Sequence, residues 1–131
     1  MSGGKRLFTI GFCLLIAACG GKQQETRLAE NQVESLAKPL ITFVELGSVN
    51  CIPCKLMVPV MEAVEHKYGD QLQVIFHDVI KQPEYGRQYG IRLIPTQVFL
   101  DRNGAELFRH EGFFAEDSID VFLQKQGLVA K

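Results

Sequence analysis

Two cysteines, Cys51 and Cys54, stand where an apolar run gives way to a helical pattern, and no other feature limits the fold as tightly. The run "LITFVEL", Leu40 to Leu46, is β-branched and apolar with one acid, Glu45, inside it, which suits a strand buried on both faces. After "GSVN", the residues from Cys51 to Tyr68 repeat apolar side chains at helical spacing (Leu56, Val60, Met61, Val64, Tyr68), and Gly69 supplies a stop. Pro53 is tolerated in a first turn, where its missing N–H breaks no helical bond, whereas Pro59 is expected to kink the helix. A cysteine that opens a helix lies at the positive end of the macrodipole, so Cys51 should ionise more readily than a free thiol and is the expected nucleophile. Cys54, one turn further in, is the expected resolving thiol.

The remaining pattern completes an α/β chain. "RLAENQVESLAK", Arg27 to Lys38, reads as an amphipathic helix stopped by Pro39; "LQVIFHDV" reads as a second strand and "PEYGRQYG" as a short helical turn. "TQVFL" and "AELFRH" read as two strands joined through "DRNG" as a hairpin, and "AEDSIDVFLQKQ" as a closing helix carrying Ile119, Phe122 and Leu123. This order predicts a mixed central β-sheet flanked by helices on both faces.

The N-terminal residues predict something other than fold. Lys5 and Arg6 precede the apolar run from Leu7 to Ala18, which is short for a membrane span and ends in small residues. "LIAACGG" resembles the lipobox of bacterial lipoproteins, which implies a signal peptide over 1–18, lipidation of Cys19 as the new first residue, and a polar tether over 19–27 before a domain over 28–131. Acyl chains would hold that domain at a membrane surface, each buried methylene contributing about 0.8 kcal/mol. Loss of residues 1–18 leaves 12 basic residues against 15 acidic, a net charge of −3, and with no basic stripe interleaved with aromatics no nucleic-acid partner is expected.

Of the four cysteines, Cys13 would leave with the signal and Cys19 be blocked by lipid, so Cys51 and Cys54 have only each other. A disulfide between them persists outside the cytoplasm. It closes so small a loop that it is a weak staple. The same spacing occurs in zinc sites, which need two further Cys or His ligands; of His66, His77 and His110, only His77 is a conceivable ligand, and no metal is expected.

With these residues in place, the sequence from about Pro39 to Gln126 resembles the thioredoxin family: "CIPCK", Pro59, "YGIRLIPT", Gly104 and Gly112 fall at the family's spacing with one added residue near the "DRNG" turn. The resemblance implies a thioredoxin-like fold and a thiol-disulfide oxidoreductase with no cofactor beyond the Cys51–Cys54 disulfide. It implies that Pro95 is a cis-proline which leaves the backbone of Ile94 free to pair with a substrate strand, and that Gly112 lets a loop approach the site. Glu45 falls where the family buries an acid beneath the resolving cysteine; inside an apolar strand its carboxyl loses hydration and its pKa rises, which suits a base for Cys54. Two departures stand out. Phe76 occupies the position of a lysine common near that acid, and Asn50 replaces the tryptophan before the first cysteine in a chain with no tryptophan at all.

The expectation is therefore a membrane-tethered, extracytoplasmic, monomeric reductant of disulfides in exported proteins, fed by a membrane or extracytoplasmic electron donor. The alternatives are oxidation or isomerisation at the same centre, a lipoprotein that binds or delivers copper or zinc, and a non-catalytic interaction module on the same fold.

Overall fold

A computed structural model describes residues 38–131. The expected signal peptide, Cys19, tether and first helix lie outside the described residues. The chain order is β1 (Ile41–Gly47), α1 (Ile52–Tyr68), β2 (Leu72–Asp78), α2 (Pro83–Gln88), β3 (Thr96–Asp101), β4 (Glu106–Glu111) and α3 (Glu116–Lys125), with a 3-10 turn at Gly69–Gln71. The sheet order is β2-β1-β3-β4; β1 runs parallel to β2 and antiparallel to β3, and β4 returns antiparallel to β3. β1 is thus central, which is why nearly every one of its side chains is buried.

Alternation along the strands divides the interior into two cores. Ile41 and Phe43 face α1 and α3, packing with Met57, Met61, Val64, Phe99, Ile119 and Leu123. Phe43 stacks on Phe99 with ring centroids 4.7 Å apart, and Phe122 meets Phe99 at 4.9 Å. Val44 and Leu46 face the other way, packing with Val98, Tyr85, Ile91 and Ile94. Helices therefore cover both faces of one mixed sheet.

The buried stripe of α1 is Cys54, Met57, Met61, Val64 and Tyr68. Leu56, expected in that stripe, is instead exposed, because once Cys54 and Met61 fix the inward face, helical geometry brings Met57 onto it and turns Leu56 outward. α1 runs unbroken through Pro59. At its far end Lys67 Nζ lies 2.7 Å from Glu116 and Tyr68 donates to Asp120 at 3.0 Å, fastening α1 to α3. The β3–β4 turn is closed by Asp101, whose Oδ1 accepts the N–H groups of Asn103 and Ala105, with Gly104 at φ 82°. Among the described residues no helix is long and apolar enough to cross a membrane.

Candidate active site

The site is built where β1 hands over to α1. A carbon added at Gly47 would lie 3.1 Å from Cys54 Sγ and 3.3 Å from the Phe76 ring, so the absent side chain is what gives Cys54 its room. The loop that follows is held by its own backbone and by Asp78. Cys51 N–H donates to Ser48 O at 3.1 Å, Asn50 N–H to Ser48 Oγ at 3.3 Å, and Val49 N–H to Asp78 Oδ2 at 3.3 Å. Asp78 Oδ1 also accepts from Ile80 and Lys81. Burial pushes the Asp78 carboxyl up, but the backbone N–H groups outweigh it and hold it below the usual carboxylate range.

Cys51 is the N-cap of α1, and its Sγ accepts the Cys54 N–H at 3.3 Å. An orphan helix N–H aimed at this sulfur stabilises negative charge on it when the pair is reduced. The two cysteines are joined as a disulfide with Cα atoms 5.2 Å apart. Cys54 is 2% exposed while Cys51 is half-buried. An attacking sulfur from outside therefore reaches Cys51 first.

Pro95 comes to the same end of the sheet, since β3 starts at Thr96 directly opposite Leu46. The Ile94–Pro95 bond is cis. The segment is fastened on both sides: Gly112 N–H donates to Pro95 O at 2.8 Å, Thr96 Oγ1 to Leu93 O at 2.8 Å, and Arg92 grips Glu111 through two bonds of 3.1 and 2.9 Å. Ile94 tucks its side chain into the second core, and among the described residues its backbone N–H and C=O have no hydrogen-bond partner. Gly112 has φ 95°, and a side-chain carbon there would meet nothing within 4 Å. Backbone conformation, not crowding by the described residues, is what calls for glycine there.

Glu45 is fully buried, and its register partners are Phe76 on β2 and Gln97 on β3. It shares its face of β1 with Gly47, and so with Cys54. Gln97 Nε2 donates to Glu45 Oε2 at 3.0 Å. Burial pushes the carboxyl up to about 8, opposed in part by that bond, and no charged side chain contributes.

The histidines stand apart. His66 is exposed on α1, His77 stacks on Tyr85 at 3.6 Å, and His110 meets Phe113 O at 3.1 Å while stacking on Phe114. Burial lowers the His77 pKa. Among the described residues no group of three or more His, Cys, Asp or Glu is placed to hold a metal.

Three features of the site are not visible in the sequence pattern alone. Gln97 is one; its signal is a lone amide inside "TQVFL". Asp78 is another, hidden because its role depends on where the Ser48–Asn50 loop passes. The third is a set of exposed apolar side chains, Val49, Ile52, Leu93 and Phe113, each within two residues of Cys51, Pro95 or Gly112.

A family model described as Thioredoxin matches residues 23–125. The chain is similar to a protein named thioredoxin Y, chloroplastic, of rice, at 32% identity over 84% of this chain and 64% of that protein, so it spans somewhat less than two thirds of that relative's length. It is 31% identical to a thioredoxin of Bacillus subtilis over 57% of this chain and 71% of the other. Among solved structures, a thioredoxin from Nicotiana alata superposes with a TM-score of 0.60 at 27% identity, covering 77% of this chain and 85% of that one.

Proposed function

Since the chain belongs to the thioredoxin family, we propose that it is a thiol-disulfide oxidoreductase that reduces disulfides in exported proteins while tethered to a membrane. The observation that carries the reading is the Cys51–Cys54 pair itself: one sulfur accessible at a helix N-terminus, the other buried against Gly47.

In the reducing direction the Cys51 thiolate attacks one sulfur of a substrate disulfide. That bond breaks, a Cys51–substrate disulfide forms, and the departing substrate thiolate takes a proton from solvent. Cys54 then gives its proton to the Glu45 carboxylate and attacks Cys51 Sγ, releasing the second substrate thiolate and closing the Cys51–Cys54 disulfide. Two electrons pass to the substrate, and a donor dithiol restores the pair. The unpaired backbone of Ile94 beside Pro95 suits an extended substrate segment, and the exposed Val49, Ile52, Leu93 and Phe113 suit apolar substrate side chains. Gly112, whose N–H holds Pro95 O, lines the same end of the sheet.

Location outside the cytoplasm rests on Lys5, Arg6, the apolar run and the small residues before Cys19, whose lipid would be the anchor. The electron donor is then a membrane or extracytoplasmic dithiol.

Replacing Cys54 by serine tests the proposal, because the mixed disulfide then has no resolving thiol. Non-reducing gels of cells making the Cys54→Ser protein should show dithiothreitol-sensitive adducts at Cys51, with exported proteins as the trapped species. A variant that traps nothing would count against the mechanism, and adducts with cytoplasmic proteins alone would count against the location.

A further inference from the structure

We propose that Gln97 is a positioning residue for Glu45, holding it as an acid–amide pair in which Gln97 Nε2–H donates to Glu45 Oε2 and the Glu45 Oε1–H donates back to Gln97 Oε1. Both side chains are fully buried and lie directly opposite in the β1–β3 register. The first of the two bonds is present at 3.0 Å. The atoms left over are Glu45 Oε1 and Gln97 Oε1, both buried and without a partner among the described residues. A buried acceptor without a donor is costly, and here two such oxygens occur on the same pair of side chains. Carboxyl and carboxamide are planar forks of equal reach, so with one bond closed the other two oxygens can face each other across a shared hydrogen. One proton on Glu45 satisfies both.

Deprotonation would leave two acceptors facing each other with no hydrogen between them. The pair therefore favours the acid: its returning Oε1–H bond adds to the upward push of burial and offsets the downward pull of the Gln97 Nε2–H bond. The other titratable groups on this face are Cys54 and Tyr68 from α1, Asp78 at the end of β2, Asp101 at the far end of β3, and His110 on β4, beyond Gln97. None is a cation paired with Glu45. Phe76, its remaining register partner, does not titrate.

The consequence for Cys54 rests on the proposed redox reading. When a donor thiolate attacks Cys51 Sγ, the Cys51–Cys54 bond breaks, its electron pair leaves on Cys54 Sγ, and Glu45 Oε1–H supplies the proton, becoming the carboxylate that later takes it back. Gln97 sets the pH range in which that proton is held ready.

The pair itself is tested without any redox substrate, in the oxidised full-length protein, where neither active-site cysteine titrates. The titration of Glu45 is followed by its carboxyl carbon resonance, assigned by its loss in Glu45→Gln. In Gln97→Met the midpoint should fall, because the acid loses two bonds, whereas the carboxylate loses only the Nε2–H bond and is freed of the facing Gln97 Oε1. A midpoint that rises or stays would mean that Gln97 only donates to the carboxylate, and would overturn the proposal. If Gln97→Met does not fold, the parent protein decides. With carbon-13 in the glutamine side-chain carbonyls, Glu45 deprotonation should shift an infrared band to higher frequency as Gln97 Oε1 loses its donor. A shift to lower frequency, or none, is what a donor-only amide gives, and would equally overturn the pair. An intact pair in a protein that reduces no disulfide would leave this inference standing and remove the functional one.

Discussion

Cys51→Ser should reduce insulin no faster than the protein-free control, while the variant still folds. The loss is expected to be complete because in the proposed cycle the thiolate at Cys51 makes the first covalent bond, and Cys54, at 2% exposure, cannot take its place at the surface. Serine keeps the size and N-cap capacity of the side chain, so α1 keeps its start. The disulfide is lost as well, but it closes so small a loop that chain entropy attributes only about 2 kcal/mol to it. Circular dichroism should therefore show a folded protein with a modestly lower melting temperature. Retained turnover would move the reaction away from this pair; an unfolded variant would make the disulfide a structural bond first.

The second large effect is on stability against pH. Glu45 has its pKa raised by burial from 4.5 to about 8 in the folded protein. Between those values the folded state holds a proton that the unfolded state has released. The contribution of this group is therefore fully present below pH 4.5 and is lost as pH rises towards 8, at about 1.4 kcal/mol per pH unit. His77, lowered by burial, works in the opposite sense at and below its ordinary range near 6.5, and Asp78 acts only in acid. Subtracting the stability of Glu45→Gln from that of the parent at each pH isolates Glu45. Urea unfolding of both oxidised proteins from pH 5 to 9 should give a difference that declines steadily to about pH 8 and then levels off. Parallel curves would show a carboxyl that ionises normally.

Much of the fold was legible because its signals are local. The apolar "LITFVEL" sits in the central strand, Gly69 ends α1, and Asp101 to Gly104 turn the hairpin where "DRNG" predicted it. Strand ends moved by a residue, since pairing rather than composition sets them. Leu56 falls outside the buried stripe because apolar spacing alone does not say which helix face the sheet takes. At the site, Cys51 and Cys54 could be read directly because spacing and helix position are properties of one segment. Glu45 could be suspected, since a lone acid in an apolar strand is conspicuous. Gln97 could not, because its meaning lies in a partner 52 positions away that only the β1–β3 register supplies. Asp78 is of the same kind: its hold on Val49 depends on β2 ending beside the active-site loop.

The most direct test of the central claim is the reduction potential of the Cys51/Cys54 couple, measured by equilibrating the full chain against graded dithiol buffers and counting free thiols. A reversible two-electron couple near about −270 mV, the potential of thioredoxin, is the expected result and identifies a reductant. A couple near about −120 mV would identify an oxidant of exported thiols. The absence of any reversible couple would contradict a redox role for the pair altogether.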